Sequence, residues 1–326
     1  MKIYNKHRIE ELPPAIQLEL DNYRKYRHFS VTEYVEDKIS ILNKYFAKYN
    51  LSTAIVAVSG GIDSALVLAL LNKASKVKNS PLKKVIPIFI PAYESKGVTG
   101  QLSAFDRASE LCSFFDVKMI ELDISAHTQS LSNSIQETLD IQSDNWSEGQ
   151  LVPYLRTTSL YYYATLFTQN NQKAVIVGTT NADEGQYIGY FGKASDGLVD
   201  IQLISDIHKS EVYAVSEYLG VPEVLLDVVP TGDMYDARVD EEVFGFPYDF
   251  VEFYRYYLNL SLFEKEKFKE SLILNGEIDI FNKLEQNVKN MHGYNKHKYL
   301  GNSPAVHLDV IDTKIECGWK YSVWQE

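Results

Sequence analysis

Residues 54–70, AIVAVSGGIDSALVLAL, constrain the fold more than any other stretch of the chain. The run 54–58 is short, β-branched and apolar, which is typical of a strand that is buried on both faces. A serine and two glycines end this run, and the apolar residues that follow at 62–70 predict a buried helix. Such a turn forms an anion site, because glycine lets backbone N–H groups approach a phosphate and the helix N-terminus adds partial positive charge.

The side chains of this turn add oxygen ligands to the predicted anion site. Ser59 and Ser64 supply hydroxyl groups, and Asp63 supplies a carboxylate of the kind that holds Mg²⁺. The turn is not a Walker A loop, because the chain has no GxxxxGK(S/T) and no lysine at this position. An ordinary strand-to-helix turn with a serine cap is the alternative, and the richness of SGGIDS favours a phosphate-binding loop.

Composition excludes several classes of function. The net charge of −12 argues against general nucleic-acid binding, because phosphate recognition requires a basic field. Cys112 and Cys317 form neither a disulfide framework nor a zinc spacing, which indicates a reducing compartment. We see no apolar stretch of membrane-spanning length and no apolar signal core near the N-terminus, so we expect a cytoplasmic protein with no membrane partner.

The order of apolar runs predicts an α/β protein. Further strands are expected at 85–90, 118–122 and 174–177, and helices at 30–49, 102–115, 151–167 and 208–219. Strands and helices that alternate in this way form a doubly wound parallel sheet flanked by helices. The loops that follow the strands then lie along one edge of the sheet, where ligands bind.

The remaining segments set the expected domain limits. Residues 1–30 form a polar lead with a break at Pro13-Pro14, and residues 123–149 and 230–250 show no regular period. Residues 250–292 alternate charged and aromatic residues at helical spacing, which predicts helices that cover a flank. We expect one domain at 35–326, with a helical C-terminal region from about residue 250, after an N-terminal extension at 1–34.

Several motifs after the predicted strands resemble, in order and approximate spacing, the NAD synthetase family, the amide-forming branch of the N-type ATP pyrophosphatases. The motifs are SGGIDS at 59–64, GTTNADE at 178–184, GYFGKASDGLVD at 189–200, LGVP at 219–222, PTGD at 230–233 and DEEVFGFPYD at 240–249. One of these motifs alone would be weak evidence, whereas the ordered set is specific. The resemblance covers roughly residues 35 to 310 and implies an adenine nucleotide alpha hydrolase-like fold.

The resemblance also implies a reaction. ATP, with Mg²⁺, adenylates the nicotinate carboxylate of deamido-NAD and releases pyrophosphate, and ammonia then displaces AMP to give NAD. Such chemistry needs charge neutralised on the reactants and the leaving group rather than a protein nucleophile. The family is typically a homodimer whose interface completes the substrate site. We expect no glutaminase domain in a chain of this length, so the ammonia would be free or supplied by a separate glutaminase partner.

The resemblance assigns roles to positions of this sequence. Asp63, Lys209 and Asp233 match positions at the reacting centre, and Asp63 and Glu184 match metal ligands. The positions that match ATP contacts are Ser59, Gly60, Gly61, Asp63, Ser64, Thr179, Lys209 and Thr231, and those that match substrate contacts are Arg156, Lys193, Asp200, His297 and Lys298. The residue types agree for Lys209, because a cation in the first turn of a helix opposes the dipole and predicts an anionic neighbour.

The sequence departs from the family pattern at two places. The family usually shows N-x-x-x-R-x-R where residues 150–156 read QLVPYLR, so Arg156 matches the second arginine and Tyr154 replaces the first. This change removes a bidentate partner for a phosphate or carboxylate. The segment after Glu184 is one residue longer than usual, so Asp183 is the alternative second metal ligand. Two alternative functions stay open: a ligase of the same chemistry that acts on another carboxylate, and a non-catalytic nucleotide-binding relative.

Overall fold

The computed structural model describes residues 11–233, 235–298 and 305–311, and within these ranges the strands form one parallel sheet. The strands are β1 (Thr53–Ala57), β2 (Lys84–Phe89), β3 (Ile120–Glu121), β4 (Ala174–Gly178), β5 (Ile201–Gln202) and β6 (Val306–His307). Their order across the sheet is β3-β2-β1-β4-β5-β6. The chain therefore reverses direction of winding between β1 and β4, and it is outside the carboxyl ends of the strands at such a point that ligands bind.

Helices cover both faces of the sheet. They are α1 (Pro14–Arg27), α2 (Val31–Lys48), α3 (Ile62–Ser75), α4 (Gln101–Phe114), α5 (Ser125–Leu139), α6 (Asn145–Gln169), α7 (Lys209–Tyr218), α8 (Glu223–Leu226), α9 (Asp240–Phe244), α10 (Tyr248–Asn259), α11 (Leu262–Leu274) and α12 (Ile278–Asn295), with a π-helical turn at Asp183–Ile188. No helix in the described part of the chain combines the length and apolarity that a membrane crossing requires.

The alternation of side chains along β1 divides the apolar interior into two cores. Ala54 and Val56 pack into the larger core with α2, α3 and α7, whereas Ile55 packs into the smaller core with α6. Helix α3 is buried almost all round, as its unbroken apolar sequence predicts. Both faces of the parallel sheet are thus covered, which confirms the doubly wound α/β fold.

Four parts of the fold go beyond what the sequence predicts. Helix α1 lies in the expected polar lead, where Pro14 occupies the first helical position and Ile16 and Leu20 are fully buried. Helix α5 has no apolar period, because its buried positions are the small polar residues Ser125, Thr128 and Ser132. The segment 230–250 contains α9 and the start of α10, and β5 and β6 are too short to leave a pattern.

Candidate active site

The glycine-rich turn lies at the carboxyl end of β1, directly before α3. Gly60 has φ +74°, and a Cβ on it would lie 2.4 Å from the carbonyl oxygen of Ala104, so only glycine fits. Arg107 on α4 donates from Nε to the Gly60 carbonyl oxygen over 2.8 Å. These contacts hold the backbone of the turn against α4, with the N-terminus of α3 directed at the space above the turn.

The two serines of the turn contact each other. Ser64 Oγ donates to the Gly61 carbonyl oxygen over 3.0 Å and lies 3.2 Å from Ser59 Oγ. The backbone N–H of Gly61 donates to Ser59 Oγ over 3.3 Å, and Ser59 is the exposed member of the pair. The structure therefore brings together the predicted residues of this loop in the shape of a small, tightly closed turn at a helix N-terminus.

A charged cluster lies beside this turn and joins loops that follow three strands. Lys209 Nζ lies 2.6 Å from Asp63 Oδ2 and 3.0 Å from Glu184 Oε1. Asp63 follows β1, Glu184 follows β4, and Lys209 begins α7 after β5. Burial alone would lower the pKa of Lys209, but the two carboxylates raise it well above the usual value, so the ammonium stays charged. The anionic neighbours predicted for Lys209 are thus present.

Polar side chains from two motifs support the cluster. Asn181 Nδ2 donates to Asp63 Oδ1 over 2.9 Å. The Tyr248 hydroxyl lies 2.7 Å from Glu184 Oε1 and 2.9 Å from Asp240 Oδ2. Burial, together with the carboxylates of Asp63 and Asp240, raises the pKa of Glu184 to about 7, although Lys209 lowers it. The raised pKa of Glu184 therefore reflects its burial first, and the neighbouring carboxylates second.

The adjacent acids Asp183 and Glu184 face different surroundings. Asp183 is fully buried, and its Oδ1 lies 2.7 Å from His208 Nδ1 and 3.0 Å from Arg255 Nη1. Its Oδ2 accepts the backbone N–H of Lys209 over 2.8 Å. Burial alone would raise the pKa of Asp183, but these donors hold it well below its usual range. The geometry therefore favours Glu184 over Asp183 as the acid that shares the site with Asp63.

A second group of predicted residues lies beyond the carboxyl end of β2. Arg156 on α6 donates from Nε to the Ile90 carbonyl oxygen over 2.8 Å, and its Nη2 lies 3.3 Å from Asp233 Oδ2. Gln101 also donates to Asp233 Oδ2 from its side-chain amide. Burial raises the pKa of Asp233, while Arg156 lowers it. The structure thus pairs the predicted substrate cation Arg156 with the predicted acid Asp233.

The predicted lysines form a third group around the loop at 189–200. Lys298 Nζ donates to the Gly189 carbonyl oxygen over 2.9 Å and lies 5.7 Å from the ring centroid of Phe191. Burial lowers the pKa of Lys298, while Asp196 raises it and Lys193 lowers it. His297 is exposed and follows Lys296, the residue that caps α12.

The other predicted residues are less closely joined to these groups. Thr179 is half-buried directly after β4, and Thr231 is exposed and accepts the backbone N–H of Asp233 over 3.2 Å. Asp200 lies beside the middle of β4, and its Oδ2 accepts the backbone N–H of Ile176 over 2.7 Å. Asp200 therefore contacts the sheet itself rather than the charged cluster at the carboxyl ends of the strands.

Sequence reasoning missed several contributors to the site. Asn181, Asp240 and Tyr248 lie inside the motifs GTTNADE and DEEVFGFPYD, so the motifs carry a signal for these three residues. Gln101 and Arg107 lie on α4 outside every motif, and only the fold brings them to the turn and to Asp233. Across residues 11–233, 235–298 and 305–311, no group of three or more His, Cys, Asp or Glu side chains is placed to hold a metal by itself.

The fold and the site define a doubly wound α/β protein with an anion-binding loop and a charged cluster at its topological switch point. The sequence pattern of the NAD synthase family matches residues 34–300 of the chain. This match spans most of the chain, and the chain therefore belongs to the NAD synthase family.

Individual relatives agree with this assignment. The NH(3)-dependent NAD(+) synthetase of Thermoplasma volcanium is 28% identical over 232 residues, covering 71% of this chain and 86% of the relative. The enzyme of the same name from Carboxydothermus hydrogenoformans is 29% identical over 222 residues, covering 68% and 84%.

Solved structures share the fold. An NMN synthetase from Francisella tularensis superposes with a TM-score of 0.66 at 24% identity, covering 83% of this chain and 96% of that one. An NH3-dependent NAD synthetase from Campylobacter jejuni gives 0.55 at 19% identity, with the same coverage. At these identities the likeness supports the fold and says nothing of the acceptor.

Proposed function

We propose that the chain is an ammonia-dependent NAD synthetase. It adenylates the nicotinate carboxylate of deamido-NAD with ATP and transfers the acyl group to ammonia, giving NAD, AMP and pyrophosphate. The observation that carries this proposal is the position of Lys209 between Asp63 and Glu184, next to the glycine-rich turn. Family membership and the names of the relatives, NH(3)-dependent NAD(+) synthetases, support the same activity.

The residues of the turn and cluster fit the adenylation step. The backbone N–H groups around Gly60 and Gly61, with the hydroxyls of Ser59 and Ser64, bind ATP phosphates at the N-terminus of α3. Lys209 stabilises the negative charge that develops when the nicotinate carboxylate attacks the α-phosphate and pyrophosphate leaves. Thr179 and Thr231, on neighbouring loops, complete the ATP contacts. No protein nucleophile is required, because the substrate carboxylate itself forms the new bond to phosphorus.

Asp63 and Glu184 fit a Mg²⁺ that arrives with ATP. Mg²⁺ is usually held by one or two carboxylates together with substrate phosphates, and these two acids offer such a set. The geometry supports this role, since Asp63 and Glu184 lie close enough together to share the ammonium of Lys209. When bound, the ion would supply further charge neutralisation at the phosphates.

The second and third groups fit the acceptor. Arg156, Lys193, His297 and Lys298 supply positive charge for the anionic groups of deamido-NAD. Asp233 lies against Arg156, and its pKa is raised. A raised pKa suits a carboxylate that acts as a base and takes a proton from ammonium, before ammonia attacks the acyl adenylate. Asp200 keeps its role as a substrate contact from the family resemblance, in addition to its bond to β4.

One assay tests the activity. Pyrophosphate release from Mg-ATP and ammonium is followed with and without deamido-NAD, and NAD formation is followed in parallel. The proposal requires that both products depend on deamido-NAD and appear in equal amounts. Pyrophosphate release that deamido-NAD does not stimulate would overturn it.

Tyr154 is the observation that keeps a second function under test, namely a ligase of the same chemistry that acts on another carboxylate. Tyr154 is 43% exposed on α6, on the same helix as Arg156, where the family has an arginine. A panel of carboxylates in the pyrophosphate assay separates the two functions. ATP binding without pyrophosphate release on any acceptor would instead indicate a non-catalytic relative.

We also propose that the chain works as a homodimer through α5 and α6. Both helices expose large apolar side chains, among them Leu139 at 59% and Trp146 at 56%. Light scattering during size exclusion tests this assembly, and a monomer at micromolar concentration would contradict it. For the ammonia, we propose that it is free or delivered by a separate glutaminase chain.

Two further proposals concern the setting of the enzyme. Cys112 is a buried free cysteine whose pKa burial raises to about 12, in keeping with a reducing cytoplasm. Cys317 lies outside the described residues.

We propose one domain at 35–326 with 1–34 as its N-terminal extension. The buried Ile16 and Leu20 indicate that α1 is packed onto that domain.

A further inference from the structure

Helix α1 contacts residues next to the charged cluster of Asp63, Glu184 and Lys209, although α1 lies outside the segment that matches the family. The family match begins at residue 34, whereas α1 spans residues 14–27. Three side chains on one face of α1 reach the first turn of α7 and its neighbour α10. These are Tyr23, Arg24 and Arg27. The first residue of α7 is Lys209, so the partners of Tyr23 and Arg27, which are His208 and Glu211, lie one and two residues from Lys209 in the chain.

Tyr23 begins the shorter of two routes. Its hydroxyl lies 3.0 Å from His208 Nε2, and His208 Nδ1 lies 2.7 Å from Asp183 Oδ1. A carboxylate can only accept, so Nδ1 donates to Asp183. Asp183 Oδ2 accepts the backbone N–H of Lys209, and Asp183 immediately precedes Glu184. The buried carboxylate of Asp183 thus holds the backbone of Lys209 to the residue that precedes Glu184.

Arg27 forms the second route. Its Nε lies 2.5 Å from Glu211 Oε1 and its Nη2 3.0 Å from Glu211 Oε2, in a bidentate pair. Glu211 Oε2 also accepts the backbone N–H of His208 over 2.9 Å, and Arg27 donates to the Asp206 carbonyl oxygen over 3.2 Å. The side chain of Glu211 is 2% exposed, so the pair is shielded from water and holds a defined geometry.

We propose that α1 is a positioning element for the proposed active site, in which Tyr23 and Arg27 fix the start of α7 and thereby the ammonium of Lys209. This role rests on the proposed function of Lys209 in binding ATP phosphates. Neither residue touches the reacting atoms, since both act through His208, Glu211 and Asp183. Arg24 pairs with Glu252, which also accepts Ser210 Oγ over 2.8 Å, and so holds α10 to the same turn.

A double-mutant cycle on Mg-ATP affinity tests this role. Titration calorimetry compares the wild type, Arg27→Gln, Lys209→Met and the double variant. Lys25→Gln is the matched control, because it removes the same charge from an exposed position of α1. We expect Arg27→Gln to weaken Mg-ATP binding about tenfold in the wild-type background, since a misplaced group loses most of its contribution. In the Lys209→Met background the same change should cost no more than about twofold.

Two results would overturn the proposal. The first is an Arg27→Gln variant that binds Mg-ATP like the Lys25→Gln control. The second is an equal loss in both backgrounds, which would indicate a general structural effect rather than one exerted through Lys209. Thermal unfolding establishes that each variant is folded at the assay temperature. If Arg27→Gln does not fold, Tyr23→Phe decides by the same criteria, with Tyr26→Phe, 81% exposed, as its control.

The same proteins separate this inference from the proposed function. A wild type that binds Mg-ATP but forms no NAD would refute the synthetase activity while the binding cycle still decides the role of α1. With an active wild type, Arg27→Gln should lower kcat and leave the KM for deamido-NAD unchanged, and Arg27→Lys should restore part of the loss. A raised KM for deamido-NAD with unchanged kcat would contradict positioning of Lys209.

Discussion

The proposed nucleotide side and the proposed acceptor side of the site are built differently. On the nucleotide side, Asp63, Glu184 and Lys209 pair directly with one another, and the Lys209 side chain is only 3% exposed. On the proposed acceptor side, Arg156 and Lys298 donate to backbone carbonyl oxygens, the one ion pair, Arg156 with Asp233, is longer at 3.3 Å, and the Arg156 side chain is 28% exposed. The first arrangement is organised in advance by the fold, whereas the second leaves its cations accessible to a ligand. Acceptor specificity can therefore change with less damage to the fold than ATP chemistry can.

The largest expected effect is on the nucleotide side. Asp63→Ala should lower the rate of pyrophosphate release about a thousandfold, because a site organised by charge loses most when one charge is removed. Circular dichroism and thermal unfolding should show an intact fold. Asp106→Ala, a carboxylate removed from the exposed face of α4, is the control and should keep normal turnover. Near-normal turnover of Asp63→Ala would show that this residue has no role in the reaction. The contrast between the two sides of the site would then fail as well.

The adjacent acids Asp183 and Glu184 allow a comparison between a residue expected to take part in the reaction and one expected to stabilise the fold. Glu184→Gln should lower kcat about a hundredfold with little change in the free energy of unfolding. Asp183→Asn should instead lower the free energy of unfolding by about 3 kcal/mol, because it leaves His208 and Arg255 without their buried counter-ion. Denaturant unfolding and steady-state kinetics on both variants decide. A large kinetic effect of Asp183→Asn at full stability would reverse the assignment.

The buried carboxylate of Asp183 also predicts how the stability of the fold depends on pH. The pKa of Asp183 is depressed in the folded chain, so its stabilising contribution is fully present above about pH 4 and is lost as pH falls further. The stability difference between the wild type and Asp183→Asn should therefore shrink below about pH 4. A difference that stays constant down to pH 3 would show that the carboxylate is not held in its charged form.

On the acceptor side, Arg156→Lys should raise the KM for deamido-NAD about tenfold and leave the KM for ATP unchanged. A lysine cannot contact Ile90, Gln101 and Asp233 at once, as the guanidinium does. Arg238→Lys is the control, because Arg238 lies shortly after Asp233 in the chain and its side chain is 47% exposed. Equal effects on both substrates would mean that the two sides of the site are not separable.

The contrast also explains how far the sequence could predict the site. Asp63, Glu184 and Lys209 each follow a strand, and the carboxyl ends of parallel strands meet at one edge, so motif order alone predicts their meeting. The sequence does not decide between Asp183 and Glu184, because a π-helical turn directs the two acids differently. In this turn Asn181 Oδ1 accepts both of their backbone N–H groups. The sequence shows that the segment after Glu184 is one residue longer than usual, but it does not show how this changes the directions of the Asp183 and Glu184 side chains.

Contacts between distant segments were beyond prediction for a different reason. Arg27 and Glu211 are 184 residues apart, and neither lies in a motif that names the other. Helix α5 left no signal because its inner face is formed by small hydroxyl residues rather than apolar ones. The fold followed from the buried strands and α3, which are apolar throughout, while the elements that attach to the sheet from outside depend on partners that only the folded chain defines.

The smallest expected effect tests whether the acceptor side has diverged from the family. Tyr154→Arg should raise kcat/KM on deamido-NAD by about threefold, because a guanidinium adds a planar fork for phosphate or carboxylate on the same helix as Arg156. Tyr154→Lys adds the same charge without the fork, so it should give a smaller gain. Equal gains would assign the effect to charge alone, and no gain would place the determinant of acceptor choice elsewhere. A gain on deamido-NAD with unchanged ATP parameters would show that the two sides of one site can be altered independently.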